Sequence, residues 1–286
     1  MKKIRLLFRS LFVFCILLFS VVLSACGQNS REQALETAQE LARNGALSDT
    51  EAIESLSASN QLLERLASVK IRASQQQVYV LQRLLERYKN QKMWPRASET
   101  VDQLIDLQPT ESRWHLEKGQ IHSSWSQVDP DQVSVARRAY QTVLELSPDS
   151  LPARYGLGIL HGFRAENPDI ARQYLREVVQ HQPITSKNRP VIRRSRFALG
   201  RLEFEQGNLS AAARSFQAVT EMESIVAEYH FLAHRNLGRT YRQMNDLDRA
   251  RNHYQKAYEI QPTNSTVRHQ LRELGVDVSD RYNRFE

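Results

Sequence analysis

The chain has 286 residues and only two cysteines, Cys15 and Cys26, so it cannot carry a network of disulfides. It also lacks a long hydrophobic run. The apolar stretch Leu11–Leu23 is 13 residues long, whereas a bilayer-spanning helix needs about 20. Period-two alternation of apolar and polar residues is missing throughout, which argues against a sheet. Catalytic patterns are missing too. No Ser/His/Asp or Cys/His arrangement stands at a recognisable spacing. Gly156-x-Gly158 is followed by His161 where a dinucleotide loop needs glycine, and no strand precedes it. His230 and His234 share a helical face, but without an HExxH pattern or a third ligand nearby they are expected to be packing residues. His122 and His161 are expected to pack as well. The sequence therefore points to a protein that is not an enzyme and that uses no cofactor and no metal.

Two acid-free stretches that are also rich in basic residues bear on function. In the first ten residues Lys2, Lys3, Arg5 and Arg9 face no acid, and the 13-residue apolar run follows. This is the layout of an export signal. Leu23-Ser24-Ala25-Cys26-Gly27 resembles a bacterial lipobox. That resemblance implies cleavage before Cys26 and acylation (palmitate among the acyl chains) of Cys26 in a lipid-anchored protein. More than one acyl chain makes membrane attachment stable. Because Gly27 rather than Asp follows the cysteine, the outer membrane is favoured, with the protein facing the periplasm. Cys15 is then lost with the signal peptide, and no intramolecular disulfide is possible. The signal also carries four of the 39 basic residues. The remaining 35 against 32 acids leave a net charge of +3, too little to point to nucleic acid.

The second acid-free stretch, residues 178–202, holds Lys187, Arg189, Arg193, Arg194, Arg196 and Arg201; its part from about Ile184 to Pro190 is expected to be a solvated basic loop, with contact to anionic lipid headgroups as the alternative.

A spaced pattern of small and large residues recurs along the rest of the chain. An Ala followed four residues later by a large side chain appears at Ala97/Val101, Ala136/Tyr140, Ala171/Leu175, Ala212/Phe216 and Ala250/Tyr254. The steps between these alanines are 39, 35, 41 and 38 residues, close to the period of about 34 for a helix hairpin. Pro109, Pro148, Pro183 and Pro262 each lie twelve residues after their alanine. In the last copy, Leu237 and Tyr241 share one helical face and Tyr254 and Ala257 another, with Asn245-Asp246 between them as turn and cap. Asp129-Pro130 and Asn167-Pro168 are expected to supply cap and first-turn proline in the second and third copies. Gly238 and Ala250 remove bulk where the helices meet.

Leu237-Gly238, Tyr241, Ala250, Tyr254, Ala257 and Pro262 resemble the tetratricopeptide repeat. Departures include Leu85 in place of glycine in the first copy and Glu203 in place of tyrosine in the fourth. The resemblance implies an all-α, right-handed superhelical solenoid of helix hairpins. The expected layout is a signal peptide over residues 1–25, a lipidated tether over 26–30 and an N-terminal helical cap over 31–77, with helices starting at Ser48 and Ser74 capping boxes. Five repeats are expected at 78–111, 112–150, 151–185, 193–226 and 231–264. A C-terminal capping helix and polar tail complete the chain at 265–286.

In this family the first helix of each hairpin lines a concave groove. The resemblance places Arg113, Leu116, Gln120 and Ser123 there, followed by Pro152, Tyr155, Ile159 and Gly162. Arg194, Phe197, Arg201 and Phe204 come next, then Leu232, Arg235, Arg239 and Arg242. This groove is apolar in its middle and Arg-rich toward its C-terminal end, which suits a protein segment with apolar anchors and acidic groups. The function expected is a non-catalytic scaffold or assembly factor of the cell envelope, holding protein partners in the groove. It looks most like repeat lipoproteins such as pilus-secretin pilotins and regulators of cell-wall enzymes. The alternative is a small-ligand-binding component associated with periplasmic solute uptake, using Tyr155, Ile159, Phe197 and Phe204 as a pocket.

Overall fold

The computed structural model describes residues 71–278 except 72, 165–166 and 223–226. The expected signal peptide, Cys26, the tether and the Ser48 capping box lie outside the described residues. The chain divides into two compact units, Met1–Val80 and Leu81–Glu286. In the first, residues 73–80 are helical. Ser74 therefore lies inside a helix and does not cap one, correcting the expected start. No helix among the described residues is long and apolar enough to cross a membrane.

The second unit opens with helical residues 81–90, here α1. There follow α2 (Trp94–Leu107), α3 (Ser112–Trp125), α4 (Gln132–Leu146), α5 (Leu151–Phe163), α6 (Pro168–Val179), α7 (Arg189–Glu205), α8 (Leu209–Thr220), α9 (Ala227–Gln243), α10 (Leu247–Ile260) and α11 (Ser265–Glu273). From α2 onward each helix packs on its neighbours in sequence, and the first helices α3, α5 and α7 also touch in succession. A chain whose contacts stay between neighbouring elements is a solenoid. The fold is the all-α solenoid of helix hairpins that the repeats imply.

The second helix of every hairpin buries one stripe at spacing i, i+4, i+7. These stripes are Ala97/Val101/Leu104, Ala136/Tyr140/Val143, Ala171/Leu175/Val178, Ala212/Phe216/Val219 and Ala250/Tyr254/Ala257. All five leading alanines are fully buried, since no larger side chain fits where the helix backs onto its neighbours. The large residue four positions later enters a notch left by a glycine. A Cβ on Gly119 would lie 2.6 Å from the Tyr140 ring, one on Gly158 2.8 Å from Leu175, one on Gly200 2.7 Å from the Phe216 ring and one on Gly238 2.8 Å from the Tyr254 ring. The close approach expected at Gly238 is thus made by an aromatic ring.

The turns follow local chemistry. Asn245 has φ +61°, and the Asp246 side chain accepts from the Arg249 backbone N–H at 3.1 Å. Gly207 and Lys92 occupy the same left-handed turn position in the fourth and first hairpins. Asn167 caps α6 with Pro168 in its first turn, as expected. The Asp129-Pro130 expectation fails. Helix α4 begins only at Gln132, and the Asp129 carboxylate accepts from the Asp131 backbone and the Gln132 side chain. That carboxylate closes the turn before the helix, so it cannot cap it. Two helices begin earlier than their repeat boundaries, α7 at Arg189 and α9 at Ala227. Part of the basic stretch expected as a loop is therefore the first turn of α7, where Pro190 suits an N-terminal position. At the other end Val278 is buried in one apolar cluster with Val267, Leu271 and Tyr254, so the apolar packing continues beyond α11 into the stretch expected as a polar tail.

Candidate functional site: an arginine row along the first helices

The residues assigned to the groove fall into two sets. Leu116, Tyr155, Ile159, Phe197 and Phe204 are half-buried. Leu116 packs on the Tyr140–Leu157 cluster, Tyr155 and Ile159 on Ala198, Leu199 and Leu202, and Phe197 and Phe204 on the cluster around Phe216. These side chains belong partly to the core and are partly open to solvent. Arg194, Arg201, Arg239 and Arg242 are exposed, and Arg235 is half-buried.

The structure joins the two sets. The Arg194 guanidinium of α7 lies over the Tyr155 ring of α5 at 5.5 Å, and Arg201 over Phe163 at 4.7 Å. One hairpin further on, Arg239 of α9 lies over Phe204 of α7 at 4.4 Å. Each of these arginines therefore covers an aromatic ring on the preceding first helix. Such contacts contribute about 0.5–1 kcal/mol at exposed sites. They also fix the flat face of the guanidinium; Arg194 further donates through Nε to the Pro190 carbonyl at 3.3 Å, whereas the N–H edge of Arg239 meets no hydrogen-bond partner among the described residues.

At the C-terminal end, Arg235, Arg239 and Arg242 recur at i, i+4 and i+7 along α9. With Asn236 and Gln243 of α9, Tyr254 of α10, and Thr266 and Gln270 of α11, they line a hollow of about 570 Å³. Arg242 is held, donating to Gln270 and, at 2.8 Å, to Glu273. Arg201 pairs with Glu205 at 3.4 Å, an exposed i, i+4 contact worth a few tenths of a kcal/mol. Arg235 and Arg239 face no acid within ion-pair distance among the described residues. Burial lowers the pKa of Arg235, and the charges of Arg239 and Arg201 push it the same way.

Two other polar clusters belong to the framework. Glu203, 2% exposed, stands in the tyrosine slot of the fourth hairpin. Its carboxylate accepts from Arg172 of α6 at 2.8 Å and from Asn208 at 2.8 Å, with Arg176 at 3.5 Å. Burial alone would raise its pKa, but these hydrogen bonds and charges outweigh it, and the net shift is downward. The second cluster is His230, His234 and His253. His234 and His253 meet through their Nδ1 atoms at 3.0 Å, and His253 stacks on Tyr241 at 5.4 Å. Sequence reasoning missed His253, because the partner lies on α10, 19 residues away from His234. Among the described residues no group of three His, Cys, Asp or Glu could hold a metal ion. His122 bonds Ser98 at 3.0 Å and Gln132 at 2.8 Å and stacks on Trp125 at 5.6 Å, while His161 stacks on Tyr174 at 6.1 Å.

The tetratricopeptide-repeat profile matches residues 161–221 and 197–265. Among solved structures, PilW, a widely conserved type IV pilus biogenesis factor, is 15% identical with a TM-score of 0.55, over 69% of this chain and 90% of its own. PilF of Pseudomonas aeruginosa is 12% identical with a TM-score of 0.56, over 71% and 90%. MamA of Desulfovibrio magneticus RS-1 is 16% identical with a TM-score of 0.51, over 66% and 97%. At these identities the likeness is one of fold. No curated protein sequence matches the chain.

Proposed function

Because the chain belongs to the tetratricopeptide-repeat family, whose members are generally non-catalytic interaction modules, we propose that it is a scaffold or assembly factor that holds protein partners along its first helices. The observation that carries this reading is the arginine row laid over the aromatic residues of successive first helices. It provides apolar edges and fixed hydrogen-bond donors side by side, which an extended protein segment can engage together.

The place of action belongs to the same proposal. The basic start, the 13-residue apolar run and the lipobox-like Leu23–Gly27 support export and acylation at Cys26. The protein is then anchored to the outer membrane, faces the periplasm and serves partners of the cell envelope.

Each half has its own test. Replacing Cys26 by Ser should move the protein from the membrane pellet to the soluble fraction; continued pelleting would remove the anchor. The pair Arg235→Glu and Arg239→Glu should abolish partner capture from crosslinked cells while the melting temperature stays within a few degrees of the native protein. Undiminished capture would place the contact surface elsewhere.

A further inference from the structure

We propose that Arg235 and Arg239 form a receptor for two side-chain carboxylates of an extended acidic segment, held in the hollow between α9, α10 and α11. This rests on the groove reading above and specifies its partner chemistry.

The argument begins from a charge imbalance. The hollow is walled by three guanidiniums, and among the described residues only Arg242 has an acid, Glu273, within ion-pair distance. Arg235 is half-buried, its charge disfavoured by burial and by Arg239 and Arg201 nearby. Leaving a partly desolvated charge without a counter-ion is costly, and an entering anion removes that cost. The free donors are also held in place. Arg239 lies on Phe204 at 4.4 Å and Arg235 near Phe231 at 5.7 Å, so their flat faces are covered and their edges remain open. A planar donor edge matches a carboxylate bidentately.

The spacing of the two arginines suits an extended partner. Residues four apart on α9 are separated by about 6 Å of helix rise. Side chains at i and i+2 of an extended strand stand about 6.8 Å apart on one face. An acid-x-acid strand can thus place one carboxylate on each arginine. A hollow of about 570 Å³ has room for side chains reaching in from such a strand. Two uncompensated arginines also favour a run of acidic side chains over a single chain terminus. Next to Arg239 the half-buried Phe204 offers an apolar contact, so a Leu or Phe flanking the acids completes the motif.

The test uses fluorescence anisotropy with the protein from residue 27 to its end. The probe is a fluorescein-labelled peptide carrying Glu-x-Glu followed by Leu, with an amidated C-terminus. Counterparts carry Gln or Lys for Glu. The Glu peptide should bind more weakly as salt is raised from about 50 to about 200 mM, since exposed charges are screened. The Gln and Lys peptides should bind at least about tenfold more weakly, and so should the Glu peptide to Arg235→Gln or Arg239→Gln, the scale of a lost charge-assisted contact. Arg242→Gln should have a smaller effect, because Arg242 is already paired.

Equal affinity for the Glu and Gln peptides in the native protein overturns the inference whether or not the variants fold. So does Arg235-dependent binding of single-stranded DNA or phosphatidylglycerol vesicles with no peptide binding. Binding that needs a free C-terminal carboxylate overturns it as well. Failure here is separable from failure of the groove reading. Partners still crosslinked from Gln120, outside the arginine row, would leave the groove reading intact. A lack of crosslinks from any first-helix position would remove both.

Discussion

Tyr140 shows how much of this fold is decided by single side chains. Its ring lies between two glycines on successive first helices, and a Cβ would come within 2.6 Å of it at Gly119 and 2.4 Å at Gly156. Replacing a helical glycine by alanine normally gains about 0.5–1 kcal/mol. Here overpacking costs about 1–3 kcal/mol and outweighs that gain. Gly156→Ala should therefore lower the melting temperature, and the same change in a Tyr140→Ala background should raise it. Stabilisation of the native protein by Gly156→Ala, read by thermal unfolding, would show that the notch does not govern the contact. The complementarity also accounts for a departure in the sequence. In the first hairpin Leu85 replaces the notch glycine, and the entering residue is the smaller Val101, both nearly fully buried. The sequence reveals this exchange of volumes once the repeats are aligned. It does not reveal the Glu203 ion pair, because the partners Arg172 and Arg176 sit on the preceding hairpin at a distance no repeat spacing predicts.

At the scale of elements, helix existence and order were legible, while helix starts were legible only where capping chemistry is local. Asn245-Asp246 and Asn167-Pro168 act as their residue types dictate. Asp129-Pro130 does not, since the same carboxylate can close a turn ahead of the helix. The long α7 and α9 escaped a reading based on the repeat period, which ends each unit at a fixed length. The α9–α10 hairpin also carries a pH dependence. Burial, with the charge of His253 and then those of His230 and Lys256, lowers His234 to about 4, and burial with Lys256 and Arg249 lowers His253 to about 4. Between that value and the ordinary 6.5, the unfolded chain binds protons that the folded one does not. Stability is then fully present above pH 6.5 and is lost as pH falls toward 4. His253→Gln should flatten the fall in melting temperature across this window. Burial lowers His122 in the same direction, but it is common to both proteins and cancels in the comparison. Parallel profiles for the native protein and the variant would assign the acid sensitivity to other groups.

For the whole molecule, a periodic sequence yields a periodic structure, so the solenoid could be read from five recurrences of one small–large pair. The helix that carries each residue assigned to the groove could be read in the same way. Their surroundings could not. Tyr155, Ile159, Phe197 and Phe204 prove to be half-buried packing residues, and Arg194, Arg201 and Arg239 each lie over an aromatic ring on the preceding hairpin. Contacts between repeats leave no local mark in the sequence, because each side of the contact is fixed by its own copy. The central claim is that partners lie along the first helices. Its most direct test is photocrosslinking in intact cells, with a photoreactive residue placed at Gln120 or Arg194 on first helices, or at Asn252 on the exposed side of α10. Covalent protein adducts should form from Gln120 and Arg194 and not from Asn252. Adducts from Asn252 alone would contradict the account.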